Sequence, residues 1–174
     1  MTDRELRQLA ASSALEVQRV CRLFNCLQEL VMAESEPQLC STPILPLLAD
    51  AVDGVGLLFQ DDRIALVVKL PDTTPPVLIH PARTLHAVSR VLLVAHALSS
   101  ERDTVELVAS QSPHAVHIAV RNADSVARAM KAEVSLSLAI AAANIRSQQA
   151  AFSHCLRPFE VHIELTQSQP AREL

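Results

Sequence analysis

Apolar side chains in the first 34 residues recur at steps of three and four. Leu6, Ala10, Val17, Val20, Phe24, Leu27 and Val31 make the stripe, with Ser13 its one polar member. No Gly or Pro interrupts residues 3–34, so the spacing predicts one long helix with a heptad seam. Leu9, Leu23 and Leu30 widen it. A helix of about 30 residues is ~45 Å long, longer than a domain of this size is wide. Part of the seam therefore asks for a second chain, and Val17, Val20, Phe24, Leu27 and Val31 are the expected dimer interface.

The pattern changes at "ESEPQLCSTP", which ends the helix with polar residues and Pro37. Residues 38–40 fit a short strand. Ser41 or Thr42 is the expected cap of a second helix over 43–58, where Ile44, Leu47, Leu48, Ala51, Val52 and Val55 keep helical spacing. "QDD" reads as a turn, "RIALVVKL" (63–70) as a strand and "VLI" (77–79) as a short one. His80-Pro81 opens a third helix running to about residue 99, with Leu85, Val88, Leu92 and Ala95 on one face. Residues 104–110 and 115–121 alternate and predict a β-hairpin. A fourth helix covers about 133–149, and "FEVHIELT" (159–166) is the last strand.

This order predicts an α+β fold. It is a two-layer α/β sandwich of about five strands, mixed but mostly antiparallel, with helices on one face, preceded by the long helix. The expected division is a dimerisation helix at 1–35, a folded domain at 36–167 and a frayed tail at 168–174.

Composition narrows the function classes. Hydrophobic residues are 49% of the 174, enough for a sizeable core. A net charge of −4 and an aromatic content of 2% offer neither a basic footprint nor stacking platforms, so no nucleic-acid partner is expected. The cysteines, Cys21, Cys26, Cys40 and Cys155, form no C-x-x-C pair and read as reduced, small apolar residues. The charged opening "MTDRELRQLA" does not read as a signal peptide. No run of 18 apolar residues suggests a membrane span. A cytoplasmic protein is the expectation. Gly54 and Gly56 are the only glycines, so any site that needs backbone against a phosphate must do without them.

Five segments together resemble the histidine kinase family, over roughly residues 15–166. "ALEVQRVCRLFNCLQELVMAESE" looks like the second dimerisation helix. "VLIHPARTLHAVSRVLLVAHALSS" looks like a strand and the N-box helix of a Bergerat-type (GHKL) ATP-binding domain. "AVHIAVRNADSV" resembles the strand entering the D-x-G-x-G box. "VSLSLAIAAANIRSQQAAF" resembles the G-x-G-L-G-L-A-I helix start, and "PFEVHIELT" the closing strand.

The chain departs from that family wherever the chemistry lies. The N-box offers an Asn to Mg²⁺, yet residues 82–100 contain no Asn. Val91, Ala95 or His96 stands there, according to register. The family's adenine-binding Asp is matched by Asn122, and its following glycines by Asp124 and Val126 or their neighbours. Ser135 and Ser137 replace the glycines that wrap phosphate at a helix N-terminus; their β-carbons occupy that space. The stretch 125–133, "SVARAMKAE", is short for an ATP lid, and its Arg128 and Lys131 read as a solvated face. No "HE" or "HD" pair marks a phosphoacceptor.

The resemblance therefore implies a catalytically inactive, kinase-like signalling module with no cofactor, no metal and no catalytic residue. Its cleft near Val91, Ala95, His96, Asn122, Asp124, Ser135 and Ser137 is expected to be vacated. A homodimer is expected, with a response-regulator receiver or another kinase as partner and Arg19, Arg22, Asn25 and Gln28 as contacts by analogy. The alternatives are a phosphotransferase that relays phosphate between receivers, with His86 as its only substitute acceptor, and a residual ATP-binding kinase. His114, His117 and His162 are expected in strands, where a zinc site would need a third ligand.

Overall fold

A computed structural model describes residues 12–14, 16, 17, 20, 21, 24, 25, 27–29, 31, 37–123 and 132–168. The described residues between 12 and 31 are all helical and form the N-terminal helical segment. The folded domain follows as β1 (Cys40–Thr42), α1 (Ile44–Asp61), β2 (Ala65–Lys69), β3 (Val77–Ile79) and α2 (Pro81–Leu98). Then come β4 (Thr104–Gln111), β5 (Ala115–Asn122), α3 (Ala132–Arg146), β6 (Ala151–Leu156) and β7 (Phe159–Thr166).

Five strands make the main sheet in the order β2-β4-β5-β7-β6, while β1 and β3 pair separately as a two-stranded ribbon. Among the described residues only β2 and β4 run parallel; the other neighbours in the main sheet are antiparallel. The expected two-layer sandwich with a mixed, mostly antiparallel sheet is the fold observed. Alternation along the strands makes the layers, most cleanly in β7. Along β7, Phe159, Val161, Ile163 and Leu165 are buried, while His162, Glu164 and Thr166 between them are exposed. Val105 and Leu107 of β4 and Val116, Ile118 and Val120 of β5 continue that inner face.

The helices cover it with stripes at helical spacing. α1 contributes Ile44, Leu47, Leu48, Ala51, Val55 and Phe59; α2 contributes Ala87, Val88, Val91, Leu92, Val94 and Ala95. Each large aliphatic side chain fully removed from water stabilises the fold by roughly 1.5–3 kcal/mol. A polar knot fixes the ends of α2 and α3. The buried Gln148 accepts at Oε1 from the His80 backbone N–H (2.6 Å) and from Thr84 Oγ1 (3.1 Å). Its Nε2 donates to the Asn144 carbonyl at 2.6 Å.

Three local expectations change. The cap of α1 is Pro43, with no side-chain hydrogen bond, rather than Ser41 or Thr42. Those two residues are strand residues of β1, and Thr42 Oγ1 donates to the Cys40 carbonyl. The strand β6 was not anticipated. His114 lies in the turn between β4 and β5, not in a strand. The tail beyond residue 168 lies outside the described residues.

Candidate functional site

Three element ends carry the positions matched to nucleotide binding: the C-terminus of α2, the end of β5 and the start of α3. Asn122 closes β5 and is 0% exposed. Its Nδ2–H donates to Ser99 Oγ at 2.6 Å, and the Ser99 hydroxyl donates onward to the Ala95 carbonyl at 2.7 Å. Because the hydroxyl proton goes to Ala95, Ser99 can only accept from Asn122, which fixes the amide with its NH₂ toward Ser99. This chain ties the sheet to the C-cap of α2.

Val91 and Ala95 are fully buried in the core, and their aliphatic side chains hold no ligand atom. His96 turns toward α1. Its Nε2 lies 2.9 Å from Asp62 Oδ2 and 3.3 Å from the Leu58 carbonyl, and its ring meets Phe59 edge-on at 5.0 Å. It lines a polar hollow of about 550 Å³ shared with Asp61, Asp62, Arg63, Ser100 and Glu101. That hollow holds an Arg63–Glu101 ion pair at 2.9 Å.

Ser135 is exposed and Ser137 half-buried, while Leu138 and Ile140 next to them are core residues. α3 already begins at Ala132, so both serines sit inside the helix and not in a loop ahead of it. The N–H of Ser137 falls past the first turn, where backbone donors are used by the helix itself. Asp124, Val126, Arg128 and Lys131 lie outside the described residues.

A second cluster joins the N-terminal helical segment to α2. Glu29 Oε2 pairs with the Arg90 guanidinium and lies 3.9 Å from His86 Nε2. Arg90 Nε–H donates to His86 Nε2 at 3.2 Å, and Asn144 of α3 stands 3.5 Å from His86 Nδ1. A guanidinium only donates, so His86 accepts at Nε2 and its neutral ring carries the proton on Nδ1, which leaves the approach of Asn144 Nδ2 a donor-to-donor contact and not a hydrogen bond. Burial, then the positive charge of Arg90, holds the His86 pKa below its ordinary value, with Glu29 pulling the other way.

The seam positions are open. Val17, Val20, Phe24, Leu27 and Val31 are 56–68% exposed in the single chain. Phe24, Leu27, Gln28 and Val31 line an apolar hollow of about 530 Å³. Asn25 and Gln28 are exposed, and Arg19 and Arg22 lie outside the described residues.

The open face of the sheet carries the other histidines. The β5–β7 register sets His117 opposite Glu164 and His162 opposite Ala119, so both histidines share this face. Glu160 there binds Arg121 (2.6 Å) and His162 (3.0 Å), and His117 Nε2 meets Ser112 Oγ at 3.0 Å. Among the described residues, no group of three or more His, Cys, Asp or Glu side chains is placed to hold a metal ion. No helix among them is long and apolar enough to cross a membrane.

Sequence reasoning missed Ser99, Glu29 and Arg90. Glu29 had one signal, its place on the helix side opposite the apolar seam; the other two had none.

No protein-family model matches the chain, and no curated relative does. Solved structures do. The chain is similar to the Acinetobacter baumannii histidine kinase AdeS at 12% identity and TM-score 0.70, covering 92% of this chain and 83% of that one. It is similar to a histidine kinase from Burkholderia phymatum STM815 at 14% identity and TM-score 0.67, covering 95% and 87%. With the catalytic domain of the histidine kinase ThkA it shares 10% identity and TM-score 0.63, covering 75% and 98%. The folded domain has the histidine kinase catalytic-domain fold.

Proposed function

We propose that the chain is a catalytically inactive, histidine-kinase-like signalling module that acts through protein–protein contact. The Asn122–Ser99–Ala95 chain carries this reading. The position matched to the adenine-binding carboxylate is fully buried and donates inward, to the cap of α2. The core aliphatics Val91 and Ala95 support it, since they offer Mg²⁺ no oxygen or nitrogen, and so do Ser135 and Ser137, which stand within a helix and not in a glycine loop that wraps a phosphate.

In this reading residues 36–167 are the kinase-like domain and residues 1–35 a stalk. The stalk dimerises through Val17, Val20, Phe24, Leu27 and Val31. It offers Arg19, Arg22, Asn25 and Gln28 to a response-regulator receiver or a second kinase in the cytoplasm. The phosphotransferase alternative is disfavoured by His86. A phosphate-accepting imidazole attacks through a free ring nitrogen, and here Nε2 already accepts from Arg90.

Calorimetry with ATP and ADP at millimolar concentration, with and without Mg²⁺, tests the reading. No heat and no thermal stabilisation are expected, also after Ser135→Gly with Ser137→Gly. Saturable binding by the native chain would overturn it and restore the ATP-binding kinase.

A further inference from the structure

We propose that the free edge of β6 is a self-association surface, on which β6 of another copy of this chain adds antiparallel across a two-fold axis. The pairing does not depend on the stalk, and where the stalk dimerises it joins one stalk dimer to the next.

β6 forms one border of the main sheet, and among the described residues β7 is its only neighbour there. The two strands meet at the two-residue turn Arg157-Pro158, with Leu156 paired to Phe159 across it. Such a turn closes on a hydrogen-bonded pair, and these pairs alternate with open ones along an antiparallel ladder. Phe152, His154 and Leu156 therefore direct their backbone groups to β7, while Ala151, Ser153 and Cys155 turn theirs to the border. Exposed edges are ordinarily guarded by a charge or a proline. The opposite border has such a guard in Lys69 of β2, ion-paired to Glu106 at 2.6 Å. β6, "AFSHCL", has no Asp, Glu, Lys, Arg or Pro. Arg146 of α3 reaches the Phe152 carbonyl at 3.0 Å, a group of the β7 ladder, and the border groups stay open.

The strand is complementary to itself. With Ser153 on the axis, Ser153 meets Ser153 and Ala151 meets Cys155 of the other copy, and each such pair exchanges two backbone hydrogen bonds. These side chains are small and uncharged, so nothing on the open face of the sheet opposes the approach. On the helix face Phe152 stands opposite the partner's His154. Within one copy the two rings already lie 6.0 Å apart at 56°, and His154 is exposed, so its ring can meet a second phenylalanine. No like charge faces itself at any position of this register. One short strand pair is a small contact, so it forms as concentration rises. The stalk seam and the β6 edge are both two-fold contacts; either alone stops at a dimer, and both together extend into an open string.

Sedimentation velocity of the full chain at increasing concentration tests this. The native chain is expected to pass beyond the mass of a dimer. Ser153→Pro removes one border donor, and Ser153→Lys sets a charge against its own copy on the axis. Each is expected to stop at a dimer, with circular dichroism showing the native fold, and Ser153→Lys combined with Phe24→Glu to give a monomer. Masses that neither Ser153 variant changes overturn the edge pairing and leave the stalk reading standing. A Phe24→Glu chain of unchanged mass, beside a Ser153→Lys chain that is monomeric, overturns the stalk alone. A thiol trap reads the register. In a chain with Cys21, Cys26, Cys40 and Cys155 replaced by Ser, Ser153→Cys brings two thiols together on Cα atoms about 5.5 Å apart, within disulfide reach. A cross-linked dimer is expected on mild oxidation, and a folded chain that does not cross-link overturns the pairing.

Discussion

Asn122→Asp restores the carboxylate that the family resemblance places at the end of β5, and it should destabilise the protein in a pH-dependent way. Asn122 is fully buried and donates to Ser99, whose own proton goes to Ala95. An aspartic acid can take over the donor role only while protonated. Near pH 4 the new carboxyl keeps its proton, and the variant should stay within about 1 kcal/mol of the native chain, the worth of one hydrogen bond. At pH 7 the unfolded carboxyl is ionised, with a reference pKa of about 3.9, and each unit above that costs about 1.36 kcal/mol to stay neutral. Three units make roughly 4 kcal/mol, less than the alternative of burying the bare anion.

The sign follows from linkage. A carboxyl whose folded pKa is raised gives no penalty below its unfolded value and an increasing one as pH rises toward the folded value. At roughly 4 °C per kcal/mol for a domain of this size, the Tm deficit should be about 15 °C at pH 7 and a few degrees at most at pH 4. Thermal melts of both chains at the two pH values measure it. A deficit that does not grow with pH would mean that residue 122 is solvated, and the buried chain from Asn122 to Ala95 would be refuted.

Two other outcomes are expected. Phe24→Glu or Leu27→Glu should weaken self-association more than a hundredfold, about 3 kcal/mol, and shift the sedimentation mass to that of one chain; an unchanged mass for both variants would remove the seam as an interface. Burial and Arg90 hold the His86 pKa down, so its contribution to stability is present above the ordinary value near 6.5 and fades as pH falls through the folded value. His86→Gln should therefore lower Tm at pH 7 and lose that deficit toward pH 5, and a constant difference would contradict the neutral His86.

Much of the domain is legible where one residue type decides one face. The alternation in "FEVHIELT" and in β4 and β5 gives the strands that they become. His80-Pro81 marks the start of α2, where the His80 ring caps the Arg83 N–H at 3.4 Å. Ala95 already belonged to a core stripe with Val88 and Leu92, which is incompatible with presenting a ligand. β6 was not legible because it is an edge strand with Phe152 as its one buried residue; Ser153, His154 and Cys155 are exposed, so no period-two signal survives. The partners of Asn122 and Arg90 were hidden for a different reason. Arg90 meets Glu29 across 61 positions and Asn122 meets Ser99 across 23, and such meetings are set by tertiary closure, not by local pattern.

Synthesis on the ribosome delivers these strands in an order that the sheet does not follow. β5 lies at the centre, between β4 and β7, yet β7 emerges only after α3 and β6. Until then the eight-residue β5 pairs on one side only, and Val116, Ile118 and Val120 have half of their sheet. β6 waits as well, since its single neighbour is β7. A nascent chain stalled between residues 123 and 158 therefore presents a bare apolar edge, the kind that pairs with another chain. The central strand of the finished domain is the aggregation hazard of the unfinished one, and rapid delivery of "FEVHIELT" is what removes it.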